Sequence, residues 1–158
     1  MSEQTVTQLG QGLYFEEFSL GRKFRTVGRT ITEPDLCAFI NLTHMTEAVF
    51  TDLEYAGAHS VMKGRVVPGA LCYTFAEGLC IVDTMQFTGM AFLHMELDVK
   101  GPTVVGDTIH VELEVIEARL SKTNRTRGLV RTRNTVVKQD GTTSVVYTPM
   151  RMVRCRGA

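Results

Sequence analysis

The sequence predicts an α+β fold in which a curved antiparallel sheet wraps around one long buried helix. Three observations carry that expectation. Pro68-Gly69 opens a run from Ala70 to Val82 that is apolar almost all round, with Glu77 as its only charged residue; such a helix is buried rather than laid on a surface. From Ala91 onward apolar residues recur at every second position, the period of strands. The helix precedes the strands instead of alternating with them, which favours helix packed on antiparallel sheet over βαβ units.

Each element has its own signal. Phe24 to Ile31 reads as an N-terminal strand. Thr32-Glu33-Pro34-Asp35 then starts a helix of about ten residues: Thr32 is a cap, Pro34 suits the first turn, and the acidic residues suit the positive end. Leu36, Phe39, Ile40 and Leu42 are its apolar stripe. Thr43 to Arg65 is irregular, with one short helix around Asp52 to Ala56; an apolar loop of this length in a small domain points to function. After the long helix come Phe92 to Val99, then Thr108 to Glu117 with Ile109, Val111, Leu113 and Val115 on one face. Gly128 to Lys138 follows, and Gln139-Asp140-Gly141 makes a hairpin turn. Ser144 to Arg154 returns with Val146, Met150 and Met152 expected inward. The total is about five strands.

The chain has 158 residues, which fits a single domain over 1–158. Seventeen basic residues balance seventeen acidic ones. That balance argues against a nucleic-acid partner, which selects for a basic surface, and leaves little charge repulsion against self-association. No stretch approaches the ~20 apolar residues that cross a bilayer. The polar opening Met1 to Thr7 lacks the order of a signal peptide, so a cytoplasmic protein away from membranes is expected. Cys37, Cys72, Cys80 and Cys155 form no C-x-x-C and read as free thiols, three of them in apolar surroundings. The four histidines show no metal-ligand spacing, so no metal is expected.

Several segments in order carry a family resemblance. They are Tyr14 to Gly21, Gly28-Arg29-Thr30-Ile31-Thr32-Glu33-Pro34-Asp35, Gly64-Arg65-Val66-Val67-Pro68-Gly69, Val105-Gly106-Asp107-Thr108-Ile109 and the strand start Arg127-Gly128-Leu129-Val130. Over nearly its whole length the chain resembles the MaoC-like acyl-CoA dehydratases and (R)-specific enoyl-CoA hydratases of the hotdog fold. The resemblance implies an acyl-CoA or acyl carrier protein thioester as ligand and no cofactor beyond the CoA of the substrate. It also implies a homodimer or higher oligomer. The family's signature, Gly-Asp-x-Asn-Pro-aliphatic-His, supplies an Asp/His dyad that holds the added water. Here the matching stretch is His44-Met45-Thr46-Glu47-Ala48-Val49-Phe50, so Met45 and Phe50 stand at the dyad positions, and neither carries a proton at neutral pH.

What survives is the helix start. The resemblance puts the thioester oxygen at the N–H of Gly69, next to Val67 and Pro68. First-turn N–H groups lack intrahelical partners and sit at the positive end of the dipole, so they suit an oxyanion. Glu77 is the second clue, because an unpaired carboxylate on a buried helix titrates towards neutrality and serves as an acid or base; the alternative is a structural Glu paired with an arginine at a subunit interface. His44 and Glu47, in the loop matching the catalytic one, are expected around Glu77 as the other proton-moving groups. Met45, Phe50 and Tyr73 become lining of an apolar acyl site. Arg125, Arg127, Arg131 and Arg133, with Lys122, either meet CoA phosphates or form a solvated sheet face. His94 and His110 read as structural.

Three functions fit these residues. One is hydration or dehydration of an acyl-CoA through a non-standard site. A second is a hotdog thioesterase built on Glu77. The third is a non-catalytic partner of a second, dyad-bearing hotdog subunit.

Overall fold

Helix α4, Gly69–Thr84, is the element around which the others are arranged. A computed structural model describes residues 6–157; the Met1 to Thr5 part of the polar opening lies outside the described residues. Leu71, Cys72, Ala76 and Cys80 recur along the inner side of α4 and pack on Ile109, Val111, Leu113, Val136, Val145 and Tyr147 of the sheet. Ile31, Leu36 and Ile40 close this core at one end. A smaller cluster joins Phe18 to Val115, Val130 and Val153.

The strands are β1 (Lys23–Arg25), β2 (Arg29–Thr30), β3 (Gly89–His94), β4 (Leu97–Val99), β5 (Thr108–Leu120), β6 (Arg127–Lys138), β7 (Thr143–Tyr147) and β8 (Met150–Arg154). All pairings are antiparallel, and β5–β6 form the central ladder. β1 and β2 both lie on β5, while β7 and β8 share the two halves of β6. The edge is completed by β4 on β7 and β3 on β8.

Eight strands replace the five expected because three long ones break. The Ser144 to Arg154 run divides at Thr148-Pro149, where Pro149 has no N–H for the ladder. The Phe92 to Val99 run breaks beside it, and Thr148 N–H donates to the Glu96 carbonyl at 2.9 Å across the two interruptions. The inward set of that last run also shifts. Met150 is buried as expected, but Val145, Tyr147, Arg151 and Val153 take the core, and Val146 and Met152 lie on the other side. A buried arginine hides this phase from a hydropathy reading.

Before α4, α1 (Glu33–Thr43) starts as expected: Thr32 N–H and hydroxyl both donate to Asp35 Oδ2, at 2.9 and 2.6 Å. It ends at His44, which adopts left-handed backbone with φ 60°. The irregular segment holds two short helices, α2 (Ala48–Thr51) and α3 (Leu53–His59), the second capped by Asp52 accepting from Tyr55 N–H. Gly128 is a position of close approach, because the Phe15 ring occupies the space a Cβ would fill.

α4 is less enclosed than its composition implies. Ala70, Thr74, Gly78, Ile81 and Val82 are exposed on its outer side. β3 is exposed along all six residues, including Met90, Phe92 and Leu93. The apolar surplus in the sequence therefore marks an outer face, not a helix wrapped on every side. Among the described residues no helix is long and apolar enough to cross a membrane.

Candidate active site

The N-terminal turn of α4 forms the floor of a cleft of about 350 Å³. Gly69 and Val67 line it from the helix start, Glu47 and Phe50 from the preceding loop, and Val99 and Val145 from β4 and β7. Four of the residues singled out by sequence thus meet in one place. Pro68 precedes the first turn, and its carbonyl accepts from Leu71 and Cys72. The N–H groups of Gly69 and Ala70 donate to no other group among the described residues. That is the state of first-turn donors with no cap, and it suits an oxygen that becomes negative.

Among the described residues Glu47 is the only ionisable side chain lining this cleft. It precedes α2, and its carboxylate caps no helix N–H and joins no ion pair among the described residues. The loop that carries it is held from below by Arg65. The Arg65 Nη1 donates to the Phe50 carbonyl at 2.6 Å, and its Nε to Glu33 Oε1 at 3.0 Å. This guanidinium ties α1 to α2 and sets where Phe50 and Glu47 stand. Hydropathy gave no signal for Arg65; its place in the Gly64-to-Gly69 run was the only pointer.

The structure does not gather the three expected proton carriers. Glu77 lies two turns along α4, in a separate cavity of about 370 Å³ lined also by Ile81, Met90, Phe92 and Arg151. Nor is it unpaired: Glu77 Oε1 accepts from the Arg151 guanidinium, and Arg151 also stands over the Phe92 ring. The expectation of an unpartnered buried carboxylate is therefore corrected. Its countercharge comes from β8, 74 residues away, which no local reading reaches. Glu77 Oε2 is buried with no hydrogen-bond partner among the described residues.

His44 is exposed at the end of α1 and lines neither cavity. Met45 is half-buried and is also absent from both linings. Tyr73, half-buried, sits one turn from Gly69 and from Glu77 and packs edge-on against Tyr147 with ring centroids 5.1 Å apart. Burial, and secondarily the charge of Glu77, pushes the Tyr73 hydroxyl up. Burial likewise pushes the Cys80 thiol up to about 12 and the Tyr147 hydroxyl far up, so both stay protonated and serve the core. Arg131 and Arg133 face Glu117 and Glu114 across the β5–β6 ladder, on the side of the sheet away from α4. They lie on a solvated face and not at the cleft.

The fold and the cleft together invite comparison with solved proteins. An (R)-hydratase from Pseudomonas aeruginosa is similar at 27% identity over 92% of this chain and 88% of its own, with a TM-score of 0.74. A MaoC-like dehydratase from Rhodospirillum rubrum superposes with a TM-score of 0.82 at 24% identity, over 93% of this chain and all of its own. The chain has a hotdog fold and is similar to MaoC-like dehydratases and (R)-hydratases. A third neighbour in fold, from Mycobacterium tuberculosis, is described as having a double hotdog fold; 96% of this chain covers 46% of it, at 24% identity and a TM-score of 0.82. No protein-family model and no curated protein matches the sequence. Gly69 lines the cleft at the helix start, and Phe50, which the resemblance aligned with a histidine, lines it as an apolar wall.

Proposed function

We propose that this protein binds an acyl thioester in the Gly69 cleft and adds water to, or removes it from, the bond next to the thioester carbonyl. The observation that carries the reading is the meeting of Glu47 and the undonated Gly69 N–H in one apolar cleft. In the hydration direction, the Glu47 carboxylate takes a proton from water as its oxygen bonds to C3 of an enoyl thioester. The π electrons move to C2 and the carbonyl oxygen, where the Gly69 N–H and the α4 dipole stabilise the enolate. The same carboxyl, now protonated, returns a proton to C2. One carboxylate thus does the work that the family divides between Asp and His, and Glu77 is left out of the proton path. The test is mass spectrometry of trans-2-enoyl-CoAs incubated with pure protein. A product 18 mass units heavier supports the reading; release of free CoA would make the protein a thioesterase instead.

A second reading rests on β3. Its six exposed residues and the outer side of α4 form an apolar face with an open ladder edge, which natural sheets cover. We place a second hotdog unit there, by analogy with the neighbour that holds two in one chain. If that unit is a dyad-bearing chain, this protein is its binding partner; turnover appearing only in the mixed complex is the result that would select this reading.

A further inference from the structure

Gly69, Tyr73, Glu77 and Ile81 recur every fourth residue, which places them along one flank of α4. That flank faces the edge formed by β4 and β3, which run back along the helix: Val99 lies at the Gly69 end and Met90 and Phe92 at the Ile81 end. The two cavities therefore lie at the two ends of one flank with Tyr73 between them, and a groove joining them would pass Tyr73. Tyr73 is braced by Tyr147, the residue paired with Leu97 of β4. At the far end an ion pair sits among apolar walls with one acceptor, Glu77 Oε2, buried and unmatched. A groove meant only for a hydrocarbon gains nothing from that atom, because an unmet buried acceptor is costly.

We propose that the Glu77–Arg151 pair reads a hydroxyl group on the distal part of the acyl chain of a thioester seated at Gly69. The proposal rests on the thioester reading of the cleft. A hydroxyl matches the pair because it both donates and accepts: with the Glu77 side chain turned so that the buried Oε2 meets the cavity, its proton goes to Oε2, and its oxygen takes one of the guanidinium N–H groups that Glu77 leaves unused. A carboxylate meets the negative Oε2, and a methyl group leaves it unpaired. The reach follows from helix geometry. Eight residues of α4 rise about 12 Å, and an extended chain advances about 1.2 Å per bond, as it does in a stretched peptide. The hydroxyl therefore sits about ten bonds from the carbonyl, past Tyr73. The pair is a specificity determinant and takes no part in proton transfer at C2 or C3.

The test is calorimetric binding of butyryl-CoA, decanoyl-CoA and 10-hydroxydecanoyl-CoA to the wild-type protein. The expected result is 10-hydroxydecanoyl-CoA tighter than decanoyl-CoA by about tenfold, the worth of a hydrogen bond to a charged group. In Glu77→Leu/Arg151→Met, an apolar exchange of the whole pair that preserves packing, the order reverses while butyryl-CoA affinity is unchanged. Equal affinities of the two ten-carbon ligands for wild type overturn the proposal and assign the pair to subunit contact. Butyryl-CoA binding with neither longer ligand bound overturns the groove alone. Failure of all three to bind overturns the thioester reading with it.

Discussion

The two ends of the α4 flank hold one carboxylate each and treat it in opposite ways. At the Gly69 end, Glu47 stands on a loop, exposed and without a countercharge, beside helix N–H groups that are also unspent. At the Ile81 end, Glu77 is drawn into the protein and neutralised by Arg151, itself buried. A general base needs a carboxylate oxygen free to meet the substrate's water, whereas a carboxylate bonded to a buried guanidinium has that oxygen occupied. The difference teaches that burial on an apolar helix is a poor guide to catalysis until the partner is known.

That contrast is breakable by mutation. The largest effect is expected for Glu47→Gln, which keeps shape and removes the base: turnover of the hydrated substrate should fall by about 10²- to 10⁴-fold with the unfolding curve unmoved. Equal turnover would transfer the chemistry elsewhere. Glu77→Ala should do the reverse, leaving Arg151 buried without a partner and costing about 3–5 kcal/mol in urea denaturation. Gly128→Ala, far from both ends, should cost about 1–3 kcal/mol because the Phe15 ring must move.

Gly69→Ala sharpens the first end. An added Cβ meets Val99 Cγ2 at 3.3 Å, so the cleft narrows while the helix keeps its fold. A KM raised several-fold, with stability within about 1 kcal/mol of wild type, is the expected pair of readouts. The smallest effect is at the α1 cap. Hydrogen bonds from Thr32, with Arg29 nearby, hold the Asp35 carboxyl below its usual range. A depressed carboxyl contributes stability above its unfolded value that is lost as pH falls through the folded one. Asp35→Asn should therefore cost about 1 kcal/mol at pH 7, with the gap to wild type closing below about pH 4.

Much of this was legible in the chain itself. The period-two run over Thr108 to Glu117 predicted β5 and its inward residues, because a strand with one buried face must alternate. Thr32 and Pro68-Gly69 marked two helix starts through local backbone chemistry, and the order of segments pointed to the MaoC-like hotdog plan. The phase of Ser144 to Arg154 was misread for a definite reason: Arg151 faces inward, and only its distant partner makes that tolerable. The same partner occupies Glu77 Oε1, and Arg65 places Phe50 through a backbone carbonyl that no side-chain pattern encodes.

The order of residues along the chain was enough for the α+β class, the helix starts and the core of β5, all of which depend on neighbours within a few positions, while the family resemblance alone set Met45 and Phe50 at the dyad positions. Tertiary structure alone decided which charges meet, that Glu47 shares a cleft with Gly69 and Glu77 does not, and that α4 keeps an open apolar side. Those outcomes depend on groups brought together from separate strands, where one buried arginine shifts the electrostatics of residues far away along the chain.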